Sequence, residues 1–206
     1  MKNKNPLTPR LLRLLKNCYL DFKYSRRLLI KKVPKMADVE RGYSDSQNSD
    51  YQALATLFSA IDTQEDDIFV DIGCGNGRLF NWLLHQEFKN KMIGIDVNYK
   101  VATLTKQKFK KYAHIEVCQA DVTEYLPHGS IYYLFNPFTL KTMECFATQL
   151  EKRIVLGLYK KERPLIIYYH CRYIDRFRNN PYWKIKELGS VSFSNLPAAL
   201  IYGVSR

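Results

Sequence analysis

From residue 67 the chain alternates between short apolar runs and longer amphipathic stretches. The runs "IFVDI", "KMIGID", "IEVCQAD" and "SIYYLFN" have strand character. Helical spacing fills Arg78 to Phe88 and Val101 to Tyr112, and a turn-rich "VTEYLPHG" precedes the fourth run. The first three runs close on Asp71, Asp96 and Asp121, 25 residues apart. That interval holds one strand, loop, helix and return loop, so the pattern predicts a parallel sheet with right-handed crossovers. A helix from about Leu140 to Leu156 then leads to "LIIYYHC". Beyond it, "WKIKELGSVSF" and "AALIYGVSR", joined by "SNLP", predict an antiparallel pair that closes the sheet. Upstream, a helix from Tyr51 to Ile61 follows the cap-like "NSD". Nearer the start, Thr8-Pro9 opens a short basic amphipathic helix whose apolar positions are Leu7, Leu11, Leu14, Leu15 and Cys18. The polar stretch after it sets a boundary near residue 42, giving an extension over 1–41 and an α/β domain over 42–206.

Charge separates the two parts further. Of a net charge of +12 over 206 residues, residues 1–41 hold 12 Lys/Arg against 3 Asp/Glu, or +9. Such a segment suits an anionic membrane face, nucleic acid or another polyanion, or an acidic substrate; it also suits a solvated face with no partner. No apolar run approaches the ~18 residues of a membrane span, and "MKNKNPLTPR" leads into no signal-peptide core. A cytoplasmic protein is expected, with peripheral contact at the inner membrane face as one use of the basic helix. Five scattered cysteines with no CxxC pair suggest buried thiols rather than a disulfide framework or zinc site.

The candidate chemistry begins in "VDIGCGNGRL". Gly73, Gly75 and Gly77 let the backbone turn sharply and approach a ligand, and the loop aims free N–H groups of the next helix outward. The spacing is GxGxG, whereas a dinucleotide fingerprint places its third glycine one residue later. Asp71, two residues before the first glycine, would repel a pyrophosphate and suits a cationic amine. Asp96 ends the second strand, where a carboxylate can accept both ribose hydroxyls of an adenosine. Asp121 can take the adenine amino group while Val122 packs on the ring. All three acids fall on the carboxyl edge of the sheet, where open α/β sheets bind ligands.

These motifs resemble the class I S-adenosylmethionine-dependent methyltransferases over about residues 45 to 206. "VDIGCGNG" is similar to their first motif, "GIDVN" to the ribose-binding acid, "QADV" to the adenine-binding acid and "YYLFNPF" to the fourth motif. The resemblance implies a Rossmann-like fold with a mostly parallel seven-stranded sheet and an antiparallel last strand. It implies S-adenosyl-L-methionine as cofactor and extends the cofactor set to Cys74, Val97 and Asn136, while His85, His114 and His128, with no acid at ligand spacing, predict no metal. Within the superfamily, "DSQNSDYQALATLFSAIDTQEDDIFVDIGCGNG" looks most like bacterial enzymes associated with surface polysaccharide gene sets, and more distantly like the non-SET histone lysine methyltransferases. In both groups a Ser/Thr stands two residues before an aromatic, matching Ser49 and Tyr51, which implies contacts to the methionine end of the cofactor.

Methyl transfer from a sulfonium is an in-line displacement, so the enzyme positions the acceptor and, where needed, removes its proton. Asn136 in "LFNPF" stands at the end of the fourth strand, near both the methyl group and an acceptor. Only one proline follows it, and Phe135 occupies the first Asn/Asp position of the N/D-P-P-Y/F pattern, which weakens an adenine-N6 or glutamine acceptor. His170 ends the fifth strand on the same edge and is a candidate general base. The expected function is therefore methylation of an oxygen or nitrogen on an unidentified acceptor, a small molecule or glycan. Protein (lysine) or nucleic-acid methylation is the alternative. A non-catalytic scaffold is a third reading, against which the intact glycines and acids argue. The 1–41 extension is expected to engage the acceptor or a surface and to contribute little to cofactor binding.

Overall fold

The strand-like runs assemble into one sheet. In chain order the elements are α1 (Leu7–Ser25), α2 (Tyr51–Phe58), β1 (Phe69–Ile72), α3 (Arg78–His85), β2 (Met92–Asp96), α4 (Tyr99–Phe109), β3 (Ile115–Gln119), β4 (Ile131–Phe135), α5 (Leu140–Val155), β5 (Leu165–Tyr169), β6 (Trp183–Ser190) and β7 (Pro197–Gly203). The structure, a computed structural model, describes residues 7–25, 29, 48–135, 137–160, 163–191 and 195–204. The seven strands lie in the order β3-β2-β1-β4-β5-β7-β6. β1 pairs in parallel with β2 and β4, β2 with β3, and β4 with β5; β7 alone runs against its neighbours β5 and β6. The parallel strands and antiparallel close follow the sequence pattern, and the Rossmann-like sheet of seven strands with a reversed last strand is the one the family resemblance implies.

The central strands are apolar on both faces because helices cover both, as parallel sheets require. Val70, Ile72, Tyr132, Leu134, Ile166 and Tyr168 pack with Met143, Phe146 and Leu150 of α5. Phe69, Met92, Tyr133, Ile167 and Tyr169 belong to the opposite layer with Leu54, Leu57, Leu79, Leu83 and Phe109 from α2, α3 and α4. Side-chain caps set the helix starts: Asp50 accepts from Gln52 N, Asn98 from Lys100 N and Val101 N, and Thr139 from Thr142 N. Asn98 thereby starts α4 two residues earlier than the hydrophobic spacing predicts. α3 ends before Phe88, where Glu87 takes a left-handed φ of 62°.

The N-terminal helix is longer than the short one expected. It runs 19 residues, because nothing between Asn17 and Ser25 breaks a helix. Among its described side chains the buried ones are the polar Asn17 and Asp21, with Leu20 and Tyr24 partly covered. Its leucine stripe points outward: Leu11, Leu12, Leu14 and Leu15 are 49–64% exposed. The boundary near residue 42 lies outside the described residues. Of the five cysteines, all free, only Cys74 and Cys171 are buried; Cys18, Cys118 and Cys145 are half-buried, a correction to the expected set of buried thiols. No described helix is long and apolar enough to cross a membrane.

Candidate cofactor site

The loop from β1 to α3 is held from below and from one side. Gly73 N and Cys74 N both donate to the Ile95 carbonyl, at 2.8 and 2.9 Å. Gly73, Gly75 and Gly77 all take left-handed φ, at 73°, 50° and 76°. A Cβ on Gly73 would stand 3.2 Å from Cβ of Pro137, and one on Gly77 would run into the Phe109 ring. Glycine is therefore required for conformation and for close approach together. From α4, Thr105 Oγ1 donates to the Gly75 carbonyl at 2.6 Å and Lys108 Nζ to the Asn76 carbonyl at 2.5 Å. With their carbonyls tied back, the loop residues present a fixed backbone rim at the carboxyl edge of β1.

The acids differ in what already satisfies them. Asp71 is buried between Gly94 of β2 and Tyr133 of β4. Among the described residues no group donates a hydrogen bond to its carboxylate, and burial, with the nearby Asp96 charge second, pushes it up to about 8. A buried carboxylate without a donor is costly when ionised, and a bound ammonium would remove that cost. Asp96 accepts from Gly75 N at 3.0 Å through Oδ2 and from Asn98 N at 2.9 Å through Oδ1. Burial still raises its pKa, against those two bonds. Each of its oxygens keeps a further lone pair, so it can brace the glycine loop and accept hydroxyls at once. Asp121 lies two residues beyond β3, where one oxygen accepts from Thr123 N at 2.9 Å and Thr123 Oγ1 at 2.8 Å. Val97 is half-buried and its carbonyl accepts from Gln119 Nε2. Val122 is buried in the layer under α5. The Cys74 thiol is buried, and burial followed by the charges of Asp71 and Asp96 pushes it well up, leaving it unreactive.

Ser49 and Tyr51 arrive through a network that the sequence did not reveal. Ser49 Oγ lies 2.6 Å from the Tyr133 hydroxyl, and Tyr133 neighbours Asp71 in the sheet. Tyr51 is turned into the protein: its hydroxyl donates to Asp21 Oδ1 at 2.7 Å and accepts from Asn81 Nδ2 at 2.7 Å. Arg78, the first residue of α3, grips Asp21 with Nε at 3.1 Å and Nη2 at 2.8 Å, and reaches the Ser49 carbonyl with Nη1 at 2.9 Å. Asn17 Oδ1 accepts from Tyr51 N. Asp21 also accepts from Leu29 N, and the Leu29 carbonyl accepts from Asn48 and from Asn76 of the glycine loop. Helix α1 is thus bonded to the residues that end the loop. Tyr51 locks that joint, and Ser49 is the member of the pair whose side chain reaches the Asp71 and Tyr133 surroundings. The one signal in the sequence was Asp21 itself, the only acid in an otherwise basic helix.

At the carboxyl ends of β4 and β5, Phe135 stacks on Tyr169 with ring centroids 4.6 Å apart. His170 follows with a left-handed φ of 54°, a region that histidine enters more readily than most residues other than glycine. Burial, then the charge of Arg172, lowers its pKa below the ordinary value, so the imidazole is neutral at physiological pH. Asn136 lies outside the described residues. Among the described residues no three His, Cys, Asp or Glu converge as metal ligands.

Residues 69–150 match the model of a methyltransferase-domain family. The chain carries an S-adenosylmethionine-dependent methyltransferase domain. Its match takes in β1 to most of α5, which hold the glycine loop and all three acids. A methyltransferase from Pyrococcus furiosus is similar at a TM-score of 0.61 and 10% identity, over 95% of this chain and 98% of that one. An S-adenosylhomocysteine-bound methyltransferase from Podospora anserina is similar at 0.56 and 11%, over 99% and 98%. A dimethyladenosine transferase from Plasmodium falciparum reaches 0.51 and 15%, over 74% of this methyltransferase and 61% of its own length. At these identities the likeness concerns the fold. No curated protein sequence matches the chain. The donor set fits the cofactor: a buried carboxylate, Asp71, with no donor among the described residues for an ammonium to displace, a glycine rim that side chains would fill, and a second buried carboxylate, Asp96, with lone pairs left for hydroxyls.

Proposed function

We infer that the domain methylates an oxygen or nitrogen of a small-molecule or glycan acceptor at the carboxyl edge of β4 and β5. The cofactor supplies an electrophilic methyl group on a sulfonium. This chain's residues do the rest. Asp71 holds the amino group, Ser49 sits beside it through Tyr133, and Asp96 takes the ribose hydroxyls while fixing Gly75. Asp121 and Val122 close the adenine end. Phe135, half-buried and stacked on the buried Tyr169 ring, offers the acceptor an aromatic face, and Asn136, next in sequence after β4, would orient the acceptor's lone pair. His170 accepts the acceptor's proton.

The observation that carries this reading is the place of half-buried His170, which directly follows β5 and the Tyr169 ring stacked on Phe135, with burial and Arg172 keeping its imidazole neutral. A neutral imidazole at a strand end suits proton removal from a hydroxyl or ammonium acceptor. The sequence resemblance to polysaccharide-associated enzymes favours glycan acceptors. Release of S-adenosylhomocysteine should be measured across sugars, glycolipids, phenols, protein extract and RNA. Turnover on a sugar or small hydroxyl compound is expected, reduced about 10²- to 10⁴-fold in His170→Ala. Turnover only on protein or RNA would assign the alternative acceptor class.

A further inference from the structure

Helix α1 is built the reverse of a helix packed on a core. Toward the domain it presents Asn17 and Asp21, which hydrogen-bond Tyr51 and grip Arg78. Away from the domain it presents Leu11, Leu12, Leu14, Leu15 and Tyr19, between 49 and 64% exposed. A helix of 19 residues is roughly 28 Å long at 1.5 Å per residue, so the leucines form a stripe along its N-terminal half. Its charges are Arg10, Arg13, Lys16 and Lys23, and its single acid, Asp21, is fully buried in the ion pair with Arg78. The described surface of α1 is therefore apolar at its centre, with Lys16 and Lys23 exposed beside it, and without an exposed acid.

We propose that α1 is an interfacial anchor that lays this leucine stripe into an anionic lipid bilayer and holds the methyltransferase domain at the membrane surface. Charge and placement select that occupant. A second copy would set one basic helix against another. Nucleic acid would need the basic residues at the centre of the face, where leucines stand, because phosphate contacts dominate such binding. An anionic bilayer accepts both: leucines enter the acyl boundary, Tyr19 sits at the headgroup level, and lysines meet the lipid phosphates. The polar joint through Asp21 and Arg78 makes the helix rigid with the glycine loop instead of free on a tether. Resting on the methyltransferase reading, this places the cofactor site beside the bilayer, within reach of an acceptor carried on a lipid.

The test is co-sedimentation of the full chain with vesicles of phosphatidylglycerol and phosphatidylcholine in equal parts, and of phosphatidylcholine alone. Leu11→Gln/Leu15→Gln is compared with the native chain; these side chains are exposed and helix-compatible, so the fold and charge are retained. Binding to the anionic vesicles, weak binding to the neutral ones, and at least a tenfold loss in the variant are expected. Native protein that stays in the supernatant overturns the proposal. Binding that salt or a duplex oligonucleotide abolishes while the variant binds normally overturns it too, in favour of a polyanion. So does a dimer, lost in the variant, without vesicle binding. Calorimetry with S-adenosylhomocysteine on the same samples reads the cofactor site independently; equal affinity in both proteins is expected, and failure there would indict the methyltransferase reading instead of the anchor.

Discussion

Asp71 is the residue whose environment says most about its ligand. Its unfolded value is near 3.9, while in the fold it is pushed up to about 8. The folded, ligand-free protein then binds more protons than the unfolded chain between those values, so this group's contribution to stability falls as pH rises from about 4 to 8. Asp71→Asn should remove that penalty. Scanning calorimetry at pH 8.5 should find the ligand-free variant melting higher than the native protein, by about 2–4 °C per kcal/mol recovered, with the gap closing toward pH 4. A lower melting point at pH 8.5 would mean that the ionised carboxylate has a partner. His170 makes the opposite shift. Because burial and Arg172 lower its pKa, the acidic limb of the kcat profile should lie below pH 6.5 and be absent from the residual activity of His170→Ala. Asp96→Ala should lose about 1–3 kcal/mol of S-adenosylhomocysteine affinity through its hydroxyl contacts, and more if Gly75 is released with it.

At the scale of elements, the glycine loop was legible because its chemistry is local: three left-handed positions need glycine whatever surrounds them. Helix α1 was legible as an amphipathic helix, but periodicity reports only that an apolar stripe exists. It does not report which medium the stripe faces. The orientation follows from Asp21 and Arg78, 57 residues apart, a pairing that no local pattern contains. The joint also changes the expected effect of removing the extension. Asp21→Ala leaves a buried guanidinium without its partner and should cost about 3–5 kcal/mol of stability, measurable by denaturant unfolding. A loss below about 1 kcal/mol would show that the pair is solvated. Truncation of residues 1–41 should accordingly weaken cofactor binding as well as surface binding, because Arg78 begins the helix that the loop feeds.

For the molecule as a whole, the strands at 25-residue intervals and the final hairpin carried the parallel sheet and its antiparallel close, since a parallel sheet buried on both faces leaves strong apolar runs; the strand order came only with the structure. The acids stood out in the same way, since each falls at or near the end of such a run. What the sequence could not place was Tyr51, whose aromatic ring suggested a cofactor contact and whose hydroxyl instead locks α1 to α3. The claim on which the rest depends is that Asp71 receives the amino group of S-adenosylmethionine or its product. Below about pH 8 the ligand-free carboxyl carries a proton, and pairing with an ammonium must expel it. Calorimetric titration with S-adenosylhomocysteine at pH 7, repeated in buffers of different ionisation enthalpy, should therefore show release of ~1 proton per molecule bound, with release and most of the affinity lost in Asp71→Asn. Tight binding with no proton exchange, unchanged in Asp71→Asn, would contradict it.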